Sequence, residues 1–155
     1  MTSSAAPHLD DLTEQPTAVI RGEVSMDQLP AFFDRSFGEL AAVLANQGVT
    51  PRSAAFAKYD GAPTDVARLE VGFVVDGPLE PTGDVVAGTL PGGRVATVVH
   101  HGGFDGLGEA WGALFAWVTD QGMTPGAQMW EIYLTEPSPD MDPAELRTEL
   151  VLTLA

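Results

Sequence analysis

Apolar positions along the chain recur in two rhythms. Phe33, Phe37, Leu40, Ala41 and Leu44 follow the spacing i, i+4, i+7, i+8, i+11, which is one face of an α-helix. Leu107, Trp111, Leu114, Phe115 and Val118 repeat that spacing 74 residues later. The remaining apolar residues fall in short β-branched or alternating runs, which predict strands over 8–12, 17–24, 52–59, 67–75, 85–90, 94–101, 128–135 and 149–154. Within 67–75, Leu69, Val71 and Phe73 share one side. Ser25 and Gln28 have the spacing of a capping box, but Pro30 suits the first helical turn and sets the regular helix to begin there. That helix runs to about Gln47, and the second from about Asp105 to Gln121. Asp60-Gly61-Ala62-Pro63 reads as a turn, and Pro91-Gly92-Gly93 as the turn of a hairpin joining 85–90 to 94–101. Residues 1–7 read as a flexible tail and 8–155 as one domain.

The shared rhythm extends to identity. Gln47-Gly48-Val49-Thr50-Pro51 falls on Gln121-Gly122-Met123-Thr124-Pro125, and Tyr59 falls on Tyr133 with no gap. Glycine past the last turn supplies a left-handed cap, and proline soon after forbids resumption. Eight of the 27 positions from 33 to 59 are identical to their mates, where about two are expected by chance. With a five-residue insertion in the loop Pro137-Ser138-Pro139-Asp140, Arg68-Leu69-Glu70 lines up with Arg147-Thr148-Glu149. Two amphipathic helices can match by accident, but not with a shared cap and a shared tyrosine. The expected fold is α+β: two strand-strand-helix-strand-strand halves, about 8–76 and 84–155, with two long helices packed on a mostly antiparallel sheet. A pseudo-two-fold between the halves creates a groove at their seam.

Composition narrows the function. The net charge is −15, and Lys58 is the only lysine. Such a surface repels nucleic-acid phosphates, so direct nucleic-acid binding is not expected; solubility alone also accounts for it. Cysteine is absent, which excludes disulfides, thiolate metal sites and cysteine nucleophiles. No apolar run is long enough to cross a bilayer, so no membrane association is expected. The start, MTSSAAPHLDDL, lacks the basic and apolar regions of an export signal. A cytoplasmic location is the expectation.

Glu131 is the most unusual position. It stands mid-strand in Met129-Trp130-Glu131-Ile132-Tyr133-Leu134, sharing a face with Met129 and Tyr133. Its mate in the first half is Ala57, so only the second half carries the acid. Two readings stay open: an exposed glutamate on an edge strand, or a carboxylate in an aromatic surround, suited to a lipophilic cation. Met129 would give that site a soft, adaptable wall. Tyr59 and Tyr133 either line the seam or cap the core with hydroxyls reaching water. Trp111 and Trp117 read first as core; Trp117 lies off the main stripe, where it is placed to meet a ligand or partner. His100 and His101 are adjacent on a strand and point to opposite faces, so they do not share a metal ion. Neither a metal nor a cofactor is expected. Gly88 to Gly93 is glycine-rich but lacks the Lys-Ser/Thr of a phosphate loop.

Trp130-Glu131-Ile132-Tyr133-Leu134-Thr135-Glu136-Pro137 resembles the W-E-x-Y-x-x-x-P signature of GyrI-like small-molecule-binding domains. Arg94 to Phe104 resembles the strand and H-x-G turn before that family's second helix, and the likeness covers about 8–155. The resemblance implies a duplicated α+β fold whose glutamate, at Glu131, meets cationic aromatic drugs with tyrosines nearby. Family members include effector domains of bacterial multidrug-sensing transcription regulators, gyrase modulators and hydrolases of strained cyclopropane antibiotics. No helix-turn-helix precedes residue 8, so a regulatory role is expected to need a partner protein, whose identity stays open.

The leading reading is a stand-alone binder of bulky aromatic or cationic small molecules. Glu131, Tyr133, Tyr59, Met129, Trp111 and Trp117 are the candidate ligand-binding residues, and Glu131 is the acidic anchor. The first alternative is a hydrolase, with Glu131 as general base and Tyr133 as acid or hydrogen-bond donor. The second is a protein-interaction regulator, such as a gyrase modulator or transcription co-regulator.

Overall fold

The computed structural model describes residues 6–60, 65–76, 79–103, 106–135 and 142–155. Most of the expected turn at 60–63, the insertion loop at 137–140, and Phe104 and Asp105 lie outside the described residues. Among the described residues, eight strands and two helices follow one another. They are β1 (His8–Leu12), β2 (Gln15–Ser25), α1 (Leu29–Gln47), β3 (Phe56–Asp60), β4 (Val66–Val74), β5 (Val85–Leu90), β6 (Gly93–His101), α2 (Leu107–Asp120), β7 (Pro125–Tyr133) and β8 (Arg147–Leu154). The duplicated α+β architecture is the one expected. No helix among the described residues is long and apolar enough to cross a membrane.

Local chemistry sets the helix ends. A 3-10 turn, Met26–Gln28, precedes α1, and Ser25 makes no side-chain cap bond. The capping box is therefore not formed. Pro30 sits in the first turn instead, where its missing N–H is not needed. At the other end Gly48 takes a φ of 67°, and the Val49 N–H bonds the Leu44 carbonyl. Gly122 closes α2 in the same way, with a φ of 78°.

All eight strands pair antiparallel in one sheet, in the order β1-β6-β8-β7-β3-β4-β2-β5. Exchanging the halves turns this order into itself: β3 swaps with β7, β4 with β8, β2 with β6 and β1 with β5. The outermost strands have crossed over. β1 pairs with β6 of the second half, and β5 with β2 of the first.

The expected hairpin is thus corrected. β5 and β6 follow one another across Pro91-Gly92, yet neither pairs with the other. They stand six strand positions apart, about 29 Å in a flat sheet, and two residues cannot bridge that distance. The sheet must curl until its edges approach. At Gly92 a Cβ would lie 2.7 Å from the Glu14 nitrogen and 3.0 Å from the Leu12 carbonyl oxygen, so the β5–β6 link passes directly over the β1–β2 link. The turn residues signalled a reversal of direction, but closure of the curled sheet used it.

Curling gives the molecule two cores. Inside the curl lie Val19, Phe56, Val74, Leu90, Val95, Trp130 and Val151. On the outer face Leu40 and Leu44 of α1 and Leu114 and Val118 of α2 join Ala18, Ala57, Leu69, Val71, Leu150 and Leu152 of the sheet in one core. α1 packs on β2 and β4, and α2 on β6 and β7. The central pair β3–β7 therefore runs beneath the line where the two helices part.

Candidate functional site

Strand alternation in β7 follows the predicted parity. Trp130 and Ile132 enter the curl, while Met129 and Tyr133 face the helices. Glu131 shares the helix side. β7 is a central strand, flanked by β3 and β8, so the edge-strand reading of Glu131 is excluded. Its cross-strand neighbours are Ala57 and Leu150, both fully buried. Glu131 itself is only 6% exposed.

Both carboxylate oxygens are held. The Trp111 indole N–H donates to Oε2 at 2.7 Å, and the Tyr133 hydroxyl donates to Oε1 at 2.8 Å. Burial pushes the Glu131 carboxyl above the ordinary glutamate value of 4.5; the bonds from Trp111 and Tyr133, and then the charge of His100, oppose that rise. Burial, followed by the Glu131 charge, raises the Tyr59 and Tyr133 phenols well above their ordinary value of 10. Both tyrosines are therefore neutral hydroxyls at ordinary pH. Tyr59 is 7% exposed, so it neither caps the core towards water nor lines an open wall.

An aromatic wall extends from this acid toward α1. The Phe33 ring meets Tyr133 edge-on at 6.3 Å between centroids. Phe37 stacks on Phe33 at 6.2 Å and meets Phe73 edge-on at 5.8 Å. All four rings are only partly buried. Phe33 and Phe37 fall on the helical stripe read from the sequence. In the structure the fully buried face of α1 is Leu29, Phe32, Ser36, Leu40, Val43 and Leu44. That rotation leaves Phe33 and Phe37 at the rim. The signal in the sequence was the doubled aromatic, Phe32-Phe33: two large neighbours about 100° apart on a helix compete for one buried face.

The other expected residues take different places. Trp111 reaches Glu131 from α2. Met129 is 5% exposed within the outer core, opposite Tyr59, and is not an open wall. Trp117 packs partly buried against the same core, and no contact with Glu131 is seen among the described residues.

An open depression of about 500 Å3 lies on the other sheet face, lined in part by Arg21, Glu23, Lys58, Arg68 and Glu70. Its charges pair internally: Arg21 and Lys58 with Glu70, and Arg68 with Glu23. It offers a ligand little unbalanced charge. Among the described residues no group of three or more His, Asp or Glu side chains could hold a metal ion.

A curled sheet with exchanged edge strands, two helices and an acid between them defines a duplicated α+β ligand-binding class of domain. The chain belongs to the GyrI-like small molecule binding domain family, which matches residues 5–155. Solved structures share the fold. The EcmrR C-terminal domain has a TM-score of 0.80 at 22% identity, over 97% of each chain. EcmrR in its DNA complex with RPo gives 0.82 at 22% identity over 96% of this chain, which spans only 57% of that protein's length. SAV2435 bound to tetraphenylphosphonium gives 0.69 at 11% identity, over 97% of this chain and 94% of its own. A hydrolase from Listeria innocua gives 0.68 at 13% identity, over 99% and 93%. At these identities the likeness establishes the fold. The chain has no match among curated protein sequences.

Proposed function

We propose that this protein binds bulky aromatic cations in the seam between its halves, with Glu131 as the acidic anchor. The observation that carries this is a carboxylate 6% exposed that bonds Trp111 and Tyr133 and, among the described residues, no cationic side chain. A buried carboxylate without a cation is costly. A lipophilic cation supplies the missing charge and can shed its own water cheaply. Its rings would lie against Phe33, Phe37 and Tyr133, with Trp111 closing the site from α2 and Met129 and Tyr59 forming the floor. Aromatic faces add attraction for the cation. Tetraphenylphosphonium on SAV2435, a protein of the same fold, supports this class of ligand. Both halves build the seam, so residues 8–155 act as one unit. The likeness to EcmrR, seen bound to DNA, supports a role in sensing for transcription.

Titration with a fluorescent cationic dye tests the reading. Saturable binding by the wild-type protein, with at least tenfold weaker binding by Glu131→Gln, is the expected result. Equal binding by both removes Glu131 as the anchor.

A hydrolytic reading draws on one specific feature. Tyr133 donates to a carboxylate whose proton affinity is raised by burial, which is the arrangement of a general base with a hydrogen-bonding helper. The Listeria innocua hydrolase shares the fold. Incubation with a spirocyclopropane substrate and mass analysis of the product separates the two readings: a water adduct supports hydrolysis, and unchanged substrate supports binding.

A further inference from the structure

Three buried hydroxyls have no hydrogen-bond partner among the described residues: Thr17, Ser36 and Thr148. Of these, Thr148 stands directly opposite Tyr133 of the carboxylate site. On its other side it stands opposite His100, forming a row across β7, β8 and β6. Leu150 and Leu152 of β8, and Ala96 and Val98 of β6, belong to the helix-side core. By alternation Thr148 and His100 point to that same side.

The first half has the equivalent row. Tyr59 stands opposite Leu69, and Leu69 opposite Gly22. There the Phe32 ring fills the space, 2.5 Å from where a Gly22 Cβ would be. Tyr-Leu-Gly under a phenylalanine thus becomes Tyr-Thr-His in the second half. Together with Glu131 for Ala57, the second half departs from the first at three neighbouring positions on one face, each time from apolar to polar.

Packing does not account for Thr148. It is fully buried, valine has its shape, and a desolvated hydroxyl without a partner is unfavourable. His100 is half-buried, and its Nε2 lies 3.0 Å from the Gly103 carbonyl oxygen. When Nε2 carries the proton and donates there, Nδ1 is left as an acceptor. Tyr133 and His100, both only partly buried, flank Thr148 on either side.

Resting on the cation-binding reading above, we propose that Thr148 and His100 form a polar subsite for a neutral hydrogen-bonding group on the ligand, such as an alcohol. The Thr148 hydroxyl donates to it, and His100 accepts from it. One strand spacing and two residues of rise, about 8 Å between backbones, separate Thr148 from Glu131, so the subsite lies beside the carboxylate and not on it. The preferred ligands are aromatic cations bearing a hydroxyl, rather than purely apolar ones.

A matched pair of probes tests the proposal: [4-(hydroxymethyl)phenyl]triphenylphosphonium and (4-ethylphenyl)triphenylphosphonium, titrated into the full chain. The wild-type protein is expected to bind the alcohol about 3- to 10-fold more tightly, the range of one hydrogen bond. Thr148→Val is expected to lose that preference and keep its affinity for the ethyl probe. Equal affinities in the wild-type protein, or a preference that survives Thr148→Val, overturn the subsite while leaving the cation site standing. No binding of either probe overturns both. Thermal melting of the ligand-free protein gives a second reading. Thr148→Val is expected to raise Tm by about 2–4 °C, because an unsatisfied hydroxyl is removed. A fall in Tm means that Thr148 carries a structural bond and contradicts the proposal.

Discussion

Ala57 and Glu131 face one another across the central strand pair, and they are also the same position in the two halves. The two-fold that exchanges the halves passes between them, since the neighbouring pair Phe56–Ile132 maps onto Trp130–Lys58. A side chain on the axis always meets its own mate. The small methyl of Ala57 leaves room for the carboxylate, and two opposed carboxylates would repel. Duplication built the scaffold, and one unmatched residue on its axis supplies the proposed anchor.

Ala57→Glu restores the symmetry and should be severely destabilising. The new acid lacks the indole that Glu131 uses, because Phe37 is the mate of Trp111. An unpartnered buried charge costs about 3–5 kcal/mol. Urea unfolding at neutral pH checks the loss, and pairing Ala57→Glu with Glu131→Ala should recover only part of it.

Trp111→Phe removes one donor from Glu131 while keeping an aromatic ring. A hydrogen bond to a charged group contributes about 1.5–3 kcal/mol, so stability should fall by that order at pH values where Glu131 is ionised. In the Glu131→Gln background the same substitution should cost clearly less. Equal costs in both backgrounds would show that Trp111 acts by packing alone.

The Glu131 carboxyl is raised above 4.5 in the folded state, mainly by burial. The folded protein therefore holds this proton to higher pH than the unfolded chain does. The stabilisation is complete below 4.5 and is lost as pH rises through the folded value. Glu131→Gln removes this dependence, so its melting temperature should gain on the wild type as pH increases. Binding of a cation favours the ionised carboxylate, so it should release protons. Calorimetry in buffers of different ionisation enthalpy reads that release directly.

Much of this fold is written in local pattern, and part of it is not. The helix stripes, the Gly48 and Gly122 caps and the parity of β7 follow from residue spacing, which physical periodicity enforces. The curl does not: Pro91-Gly92 looks like a hairpin turn because turn chemistry is local, whereas the partners of β5 and β6 are decided by closure of the whole sheet. Glu131 stood out because a charge in an apolar strand is costly wherever it lies. Thr148 did not, although its alignment with Leu69 was visible, since threonine is ordinary in a strand until its hydroxyl is seen to lack a partner. Phe33 and Phe37 fit the helical stripe, and only the rotation of α1 separates rim from core.

The exchanged edge strands tie the halves together. β1 completes the sheet of the second half, and β5 that of the first. Residues 84–155 expressed alone would lack β1, β2 and β3, leaving β6 and β7 each with an unpaired edge and β5 without its partner. Circular dichroism of that fragment should show a largely unfolded or aggregated chain, and a cooperative melt would contradict the interlock.

The decisive measurement compares charge at constant shape. Tetraphenylphosphonium and neutral triphenylphosphine oxide, titrated calorimetrically into the wild-type protein and Glu131→Gln, separate the acid from the aromatic wall. The wild-type protein should prefer the cation by at least tenfold, and Glu131→Gln should bind the two alike. A preference for the cation that persists in Glu131→Gln would contradict the assignment of Glu131 as the anchor.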